Sequence, residues 1–509
     1  MEGFHETEGT EQRIETIERL RSEGIDPYGS RFDRTHTTAE AIVLFEETED
    51  PNAEKFQTDP VRVAGRLLSK REMGKSAFAD LHDLDGNIQI YFRKNDLVEG
   101  FFDSVIKHLT VGDIIGVEGP VFKTKMGEIT IHANDVSVLA KVINNLPPIK
   151  ESTDEDGKVH RHTEFSDIET RYRQRYLDLL VNSDVRENFR RRSQTLQILR
   201  REMDDLGYLE VETPMMHHIP GGAAARPFTT HHNALDIDMY LRIAPELHLK
   251  RLIVGGLEAV YEINRNFRNE GISIQHNPEF TMLEAYKAYG DREVVMKLTE
   301  HLITTVVKEI FGGTKVPYQE VGLDFTPPWD RVRMIDAIRK ETGLDLDIHC
   351  SIEELTEQVG ALGLDLEGMD TPGKIINTVF EEKVEHTLVQ PTFVMDYPTE
   401  ISPLAKQTPD DPAWVERFEL FIYGREVANG FSELNDPAEQ HRRFSEQIAH
   451  RNAGDEEAHQ MDLDYVNALR CGMPPAGGVG IGIDRLVMFL TDSASIRDVI
   501  LFPLLRAKE

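Results

Sequence analysis

The sequence predicts an α+β protein with a small N-terminal barrel and a larger C-terminal domain that mixes helices and strands. Between Val61 and Ala140, short alternating runs are separated by DGN, VGD and KMGE turns, which indicates about five strands. Beyond residue 170, a long amphipathic helix precedes a strand and then a polar hairpin. A chain of 509 residues is long enough for two or three domains with substantial cores.

Residues 1–60 are expected to form an N-terminal helical extension. Ile14, Ile17 and Leu20 have roughly helical spacing, and Gly24 is a natural helix end. Residues 61–143 follow as the barrel. About five strands in a segment of this length favour a Greek-key barrel of the OB type.

OB barrels bind single-stranded nucleic acid through aromatic rings set among basic residues. The pattern alone leaves a second interpretation equally open, in which Phe78 and Phe92 belong to the barrel core. A formal net charge of −33 argues against a polyanionic partner unless the contact comes from local basic stretches.

Composition predicts a cytoplasmic protein. The two cysteines, Cys350 and Cys471, cannot build a disulfide framework, which favours a reducing compartment. The first twenty residues are acidic and polar, and no apolar run reaches the length that a bilayer requires. We therefore expect no membrane partner.

The Pro-rich and charged residues 144–170 predict a linker, and residues 171–509 a second domain. Its first long helix carries an apolar stripe of Leu196, Leu199, Met203 and Leu206. The run YLEVETPMM, which contains Pro214, predicts a strand directly after this helix.

The hairpin from Tyr261 to Tyr286 concentrates chemically useful side chains. Arginine offers a rigid fork for a carboxylate or a phosphate, aromatic rings can stack on a base, and buried carboxylates attract a cation. A surface hairpin with solvated charges is the plain alternative. The first arm is expected to present Asn264, Asn266, Arg268 and Glu270, and the second arm Phe280, Met282, Glu284 and Tyr286.

Two further segments carry candidate site residues. Glu419 and Glu426 flank a turn near Gly424, and paired carboxylates suit Mg²⁺, although two solvent-facing acids would also fit. Asn429, Phe431 and Glu433 are spaced two apart, so on one strand they share a face. A glycine-rich run, 477–482, precedes the helix that begins with Asp484 and Arg485.

These segments together resemble the class II aminoacyl-tRNA synthetases. FRNEG, HNPEF and E-x-Y resemble motif 2 in its lysyl form, and NGFSELND resembles the lysyl-specific signature. AGGVGIGIDR with IRDVILFP resembles motif 3, and the segment ending near Pro214 resembles motif 1. KREMGKSAF and IQIYF resemble the anticodon-binding domain of this family. The resemblance implies an OB-fold barrel and a mainly antiparallel catalytic sheet flanked by helices, with a helical insertion at about 331–390.

The resemblance also implies an activity. L-Lysine and ATP, as substrates, would form lysyl-adenylate and pyrophosphate, and the lysyl group would pass to the terminal adenosine of tRNA(Lys). A homodimer would form through the motif 1 region around Pro214. Departing from the pattern, Gln275 stands where some relatives place a basic residue.

Residue roles follow from the same resemblance. Arg268, Glu270 and Arg485 would be catalytic, and Mg²⁺ would bind Glu419 and Glu426. The lysine site would comprise Glu246, Arg268, Glu284, Tyr286, Asn429, Phe431 and Glu433. The ATP site would comprise Arg268, Glu270, His276, Asn277, Phe280, Glu419 and Arg485. The anticodon site would comprise Arg71, Phe78, Gln89 and Glu128.

Three alternatives stay open at this point. An aspartate-specific synthetase is the nearest enzymatic rival, but Glu284, Tyr286, Asn429 and Glu433 offer acceptors suited to an ammonium group. A protein-lysylating paralogue usually resembles only the catalytic half. The third alternative is a catalytically silent RNA-binding relative.

Overall fold

The computed structural model of the 509-residue chain describes residues 9–50, 53, 55–84, 86–147, 149–153, 159–163, 165–452 and 459–507. The first eight residues of the expected N-terminal extension, and parts of the expected linker, lie outside these ranges. The chain divides into two compact units, residues 1–164 and 165–509, and each is described by itself.

The first unit begins with two helices and continues as a barrel. The helix α1 ends at Ser22, close to the expected Gly24. In chain order the elements are α1 (Thr10–Ser22), α2 (Thr38–Thr48), β1 (Gln57–Met73), β2 (Ser76–His82), β3 (Asn87–Arg93), α3 (Phe101–Ser104), a 3₁₀ turn (Ile106–His108), β4 (Ile114–Lys123), β5 (Ile129–His132), β6 (Asp135–Ala140), β7 (Ile149–Thr153) and β8 (Val159–Thr163).

Five strands close the barrel in the order β1-β2-β3-β5-β4, because β1 also pairs with β4. β6 adds to β4, outside the ring. A register shift between Leu67 and Ser69 lets the long strand β1 bend as it passes from one partner to the other. This closure confirms the predicted OB-type barrel.

The barrel core also contains side chains from the two helices. Leu20 of α1 and Phe45 of α2 are each buried to 1% exposure against strand residues such as Phe92. The sequence analysis did not predict α2, although Thr37 and Glu40 form a reciprocal capping box at its start.

The second unit is built on one large sheet. Its first half contains α4 (Ile168–Arg173), α5 (Arg175–Val181), α6 (Ser183–Asp205), β9 (Leu209–Glu210), β10 (Met216–His217), β11 (Thr229–His232), β12 (Ile237–Leu241), α7 (Glu246–Val254), β13 (Ala259–Phe267), β14 (Glu279–Ala288), α8 (Arg292–Phe311), β15 (Lys315–Tyr318) and β16 (Val321–Asp324). Its second half contains β17 (Asp330–Arg333), α9 (Met334–Thr342), α10 (Ile352–Val359), α11 (Pro372–Lys383), β18 (Thr392–Pro398), β19 (Trp414–Ile422), β20 (Arg425–Ser432), α12 (Pro437–Asn452), α13 (Leu463–Arg470), β21 (Ala476–Gly482), α14 (Ile483–Leu490) and α15 (Ile496–Val499), with 3₁₀ turns at Gly360–Leu362, Glu385–Thr387 and Thr399–Ile401.

The sheet order is β17-β18-β19-β20-β21-β14-β13-β9, and its central pairs are antiparallel. This arrangement confirms the expected mainly antiparallel sheet. One face is covered by α6, α8 and α14, which pack on strand residues such as Leu283, Val479 and Leu420. Strand side chains alternate, so the neighbouring residues point to the opposite face, where the candidate site lies.

Two details around α6 differ from expectation. Leu199 and Met203 are buried as the apolar stripe predicts, but Leu206 is the C-cap residue and is 44% exposed. The following strand is much shorter than YLEVETPMM, because only Leu209 and Glu210 pair with β13.

The helices α9, α10 and α11 form a separate core within the expected insertion. Met334, Leu355 and Ile376 are buried there and pack against Val394 of β18 and Phe421 of β19. β17 runs parallel to β18, so the inserted segment leaves and rejoins the edge of the main sheet. The segment is therefore anchored beside the open face.

Candidate active site

The hairpin β13–β14 forms one wall of the site. Its register pairs Asn264 with Met282 and Glu262 with Glu284, and these residues share the open face of the sheet. The expected first arm was too long, since β13 ends at Phe267 and both Arg268 and Glu270 lie in the loop. The amide of Arg268 still donates to the carbonyl oxygen of Pro278 at 2.9 Å, and its Cζ lies 5.1 Å from the ring centroid of Phe280.

Glycines of β21 form the floor. Gly480 pairs with Glu284 on one side and Asn429 on the other, and Gly478 pairs with Tyr286 and Phe431. A Cβ atom at Gly478 would clash with the ring of Tyr286 and with Glu433, and at Gly480 it would lie 2.7 Å from Met282 Cε. Glycine at these positions therefore keeps open the space between the flanking side chains.

A bulge on β20 aligns the two candidate metal carboxylates. Glu419 pairs with Asn429, but Phe421 pairs with Glu426 because the register shifts between Leu420 and Phe421. Asn429 lies opposite Glu419 and on the same face of the sheet. Regular alternation along β20 would place Glu426 on the other face, but the extra residue of the bulge returns it to the face of Glu419. The sequence did not signal this shift.

The open face contains a cavity of about 400 Å³ rich in carboxylates. Of the expected lysine-site residues, all except Glu433 line it. The lining includes Gly222, Glu246, Arg268, Met282, Glu284, Tyr286, Lys374, Glu400, Arg417, Glu419, Glu426, Asn429, Phe431, His459, Gly478 and Gly480.

A second cavity of about 170 Å³ adjoins the first. Arg268, Met282, Glu426 and Gly480 line both cavities. Five further expected ATP residues also line the second cavity, together with Gln275: Glu270, His276, Asn277, Phe280 and Arg485. Glu419, the remaining expected ATP residue, lines the first cavity and not the second.

Arg485 is fixed at the edge of the second cavity. It donates to the backbone oxygen of Glu426, and its Nη2 lies 3.3 Å from His276 Nε2. Burial and the Arg485 charge lower the pKa of His276, which favours the neutral imidazole as acceptor. Asp484, beside it, accepts from Arg192 Nη1 at 2.6 Å and from the amide of Thr281 at 2.7 Å.

Glu433 lies behind the wall of the first cavity, ion-paired with Lys250 of α7. The Lys250 ammonium also lies 2.5 Å from Glu246 Oε1. Lys250 was not among the residues predicted from the sequence. The sequence does show that Lys250 follows Glu246 by four residues, which is the spacing of an ion pair on one helix. Such pairs are common on solvent-exposed helix faces, so the spacing alone did not indicate a site.

The carboxylates at this wall resist ionisation. Burial, followed by the charge of Glu246, raises the pKa of Glu284 to about 8. Burial also favours the neutral form of Glu433 and so raises its pKa, while the charge of the adjacent Lys250 opposes that shift. Each ionised acid therefore gains from a cation that enters the cavity.

Glu419 has a similar environment. Its Oε2 accepts from Tyr397 Oη at 3.0 Å, and its Oε1 accepts from Arg417 Nη2 at 2.5 Å. Burial raises its pKa to about 7, with Arg417 lowering it and Glu426 raising it. Within the described ranges, no group of three or more His, Cys, Asp and Glu side chains converges as a complete metal site.

The insertion also reaches the site, which the sequence analysis did not foresee. Lys374 of α11 lines the first cavity. Asn377, Glu381 and Glu385 line an adjoining cavity of about 320 Å³ together with Glu419 and other residues of the site. These side chains come from α11 and the turn after it.

The barrel presents an aromatic strip in the first unit. Phe78 lies 4.8 Å from Tyr91 between ring centroids, and Tyr91 lies 5.3 Å from His132. Phe92 is fully buried instead, so the two phenylalanines divide between the outer surface and the core.

The other expected anticodon residues surround this strip. Gln89 Oε1 accepts from Thr130 Oγ1 at 3.0 Å. Arg71 and Glu128 are exposed, and Arg71 is the cross-strand partner of Phe78. Tyr91 and His132 were not predicted.

Comparison with known families agrees with this architecture. Residues 61–139 match the model of the OB-fold nucleic acid binding domain, and residues 167–506 match that of the class II tRNA synthetases (D, K and N). The chain therefore belongs to the class II aminoacyl-tRNA synthetases.

Comparison with curated proteins identifies the subgroup of class II to which the chain belongs. The lysine–tRNA ligase of Pelotomaculum thermopropionicum is 56% identical over 500 residues, covering 98% of this chain and 94% of the relative. The lysine–tRNA ligase of Bacillus subtilis is 51% identical over 496 residues, covering 97% of both. Within class II, the chain belongs to the lysine–tRNA ligase family. Among the described helices, none is long and apolar enough to cross a membrane.

Proposed function

We propose that the protein activates L-lysine with ATP, releasing pyrophosphate, and transfers the lysyl group to the terminal adenosine of tRNA(Lys). One observation carries the proposal: Arg268 lies between an acidic cavity and a cavity with an aromatic ring, and it lines both. A guanidinium there can bind the substrate carboxylate and the α-phosphate at the same time. Its buried Nε has no hydrogen-bond partner among the described residues, which supports a role in ligand binding.

The acidic cavity would bind the amino acid. Glu246 would accept from the α-ammonium, and Glu284, Tyr286, Asn429 and Glu433 would form the end that receives the ε-ammonium. Phe431 would pack against the aliphatic stem. Burial makes this end selective, because a neutral or anionic side chain would leave the acids without a partner.

The second cavity would bind the nucleotide. Phe280 would stack on the adenine opposite Arg485, with Glu270, His276 and Asn277 around ATP. No side-chain nucleophile is required, since the lysine carboxylate attacks the α-phosphate directly. Arg268 would then orient both reactants and stabilise the charge that develops on the phosphate.

Glu419 and Glu426 would hold Mg²⁺. Their oxygens suit a hard cation, and the raised pKa of Glu419 indicates a negative charge that lacks full compensation. Two protein carboxylates fit an ion that takes its other ligands from phosphate and water. When bound, Mg²⁺ would neutralise phosphate charge.

The barrel would bind the anticodon. Phe78 would stack on a base, and Arg71, Gln89 and Glu128 would contact base edges or the loop. The half-buried aromatic strip supports this role, because base stacking requires exposed ring faces. Phe78 is half-buried while Phe92 lies in the core, and this difference supports the stacking role proposed for Phe78.

We also propose a cytoplasmic homodimer that assembles through the region around Pro214. The neighbouring Leu209 and Met216 are each 52% exposed, which supports an apolar contact surface there. A twofold dimer is the commonest symmetric assembly of soluble proteins.

The test is amino-acid-dependent exchange of pyrophosphate into ATP with Mg²⁺, using lysine, aspartate, asparagine and ornithine in parallel. Exchange with lysine alone supports the proposal. Exchange with aspartate would overturn the pocket assignment, and no exchange with any of the four would favour a silent RNA-binding protein.

A Glu426→Ala variant tests the metal assignment. We expect loss of adenylate formation with tRNA binding largely retained. Unchanged exchange activity would refute the role of Glu426.

A further inference from the structure

Lys250 lies behind the proposed lysine pocket. It sits one turn after Glu246 on α7, and its relative exposure is 0%. Glu246 lines the cavity and Lys250 does not. The ammonium therefore reaches the acidic wall from the protein interior.

The Lys250 ammonium forms ion pairs with two buried glutamates, Glu246 and Glu433. Its Nζ lies 2.5 Å from Glu246 Oε1, forms an ion pair with Glu433 Oε2, and lies 5.2 Å from the ring centroid of Phe431. Glu433 Oε1 has no hydrogen-bond partner within the described part of the chain. It also lies against Gly478, which forms part of the cavity floor.

Glu284 of β14 is the third acid of this cluster, since its charge interacts with those of Glu246 and Glu433. Burial alone would lower the pKa of Lys250, but the charges of Glu246 and Glu433 raise it above its usual value, so the ammonium stays ionised. The other titratable or charged groups that act on Lys250 or on its two acids are Tyr286 of β14, Arg417 of β19, Tyr465 of α13 and His459.

We propose that Lys250 is a positioning residue for amino-acid recognition, which holds Glu246 and Glu433 ionised and leaves Glu433 Oε1 free for the substrate ammonium. The inference rests on the proposed function of the cavity as the lysine site. Lys250 acts through the two acids and touches no substrate.

A neutral residue at position 250 would leave two buried carboxylates without their cation. Removing one partner of a buried ion pair leaves the other charge uncompensated, and a carboxylate in that state takes up a proton. A protonated acid cannot form an ion pair with an ammonium. Lysine binding should then weaken at neutral pH and recover as the pH rises.

The test compares wild type with Lys250→Met, which keeps an unbranched side chain one heavy atom shorter than lysine and removes the charge. Pyrophosphate exchange is measured from about pH 6.5 to about pH 9, with KM determined separately for lysine and for ATP. We expect KM for lysine to rise roughly tenfold or more near pH 7, with KM for ATP unchanged. The lysine kcat/KM of the variant should increase with pH more steeply than that of wild type.

Lys308→Met is the matched control, because Lys308 is an exposed lysine on α8. It should behave as wild type. Lys250→Arg keeps the positive charge, so it should keep the wild-type pH profile even where KM for lysine rises. If Lys250→Met does not fold, the pH profile of Lys250→Arg decides, and a profile shifted from wild type overturns the inference.

Two other outcomes refute the inference. An unchanged KM for lysine in Lys250→Met would show that the ammonium is not needed. A parallel rise in both KM values without a pH dependence would indicate general structural damage. If wild type itself shows no exchange with lysine, the proposed function fails instead.

Discussion

Glu284→Gln tests whether a buried acid of the pocket lowers the free energy of unfolding of the ligand-free protein as the pH rises. Glu284 is buried on β14, accepts from Tyr286 Oη at 3.2 Å and lies 3.5 Å from Asn266 Nδ2. Burial and the nearby charge of Glu246 raise its pKa from 4.5 to about 8. Glutamine has nearly the same shape and cannot ionise, so the variant isolates the effect of the charge.

The sign follows from proton binding. The folded protein holds the Glu284 proton more tightly than the unfolded chain, so this group's contribution to stability is fully present below about pH 4.5 and is lost as the pH rises towards 8. Each pKa unit corresponds to ~1.4 kcal/mol. Between about pH 5 and pH 7, the wild-type free energy of unfolding should fall by roughly 2 to 3 kcal/mol relative to that of the variant.

The assay is urea unfolding of the ligand-free protein at both pH values. Glu279→Gln is the control, since Glu279 is an exposed glutamate on the same strand, and it should show no such pH-dependent difference. Glu284→Gln should also raise KM for lysine, because the pocket loses an acid that can pair with the substrate ammonium. An equal stability difference at pH 5 and pH 7 would refute the reasoning.

Three further predictions follow from the geometry. Gly478→Ala should abolish lysine-dependent exchange because its Cβ would clash with Tyr286 and Glu433, whereas Gly313→Ala, which has no atom within 4 Å of the added Cβ, should retain it. Phe78→Ala should raise KM for tRNA through loss of one stacking contact, about 1–3 kcal/mol, and should leave pyrophosphate exchange unchanged. Because Glu284, whose pKa is raised to about 8, must lose its proton to pair with an ammonium, the wild-type affinity for lysine should rise from pH 7 to pH 8, as calorimetry can measure.

The strand pattern was predictable because it depends on local alternation. The residues of β14 that the sequence placed on one face do share that face, and Asn429 and Phe431 share the face of β20. The end of β13 was not predictable, since Arg268 and Glu270 continue the alternation in sequence although the strand ends at Phe267. The bulge near Glu426 could not be predicted from the sequence either, because a bulge is defined by the register with the partner strand, here β19.

The side chains that the insertion contributes to the cavities could not be predicted for a different reason. Lys374 and Glu381 look like ordinary charges on a helix, and their position depends on the parallel pairing of β17 with β18, which is separated from them in sequence. Lys250 was hidden although it lies only four residues from Glu246, because its second partner, Glu433, is far away in the chain. Sequence spacing identifies a pair on one helix but not a cation shared between two elements.

In the proposed amino-acid site, the charge balance favours lysine over aspartate. Glu246, Glu284 and Glu433 carry three negative charges when ionised, and the ammonium of Lys250 contacts two of them from behind. Lysine adds two ammonium groups, and its carboxylate can bind Arg268 outside this cluster. Aspartate would place a second carboxylate against buried acids whose pKa values are already raised, and like charges in a buried site repel strongly. Under this proposal, discrimination comes from Glu246 and Glu284, which line the cavity, from Glu433 behind its wall, and from the protein's own cation on the far side of these acids.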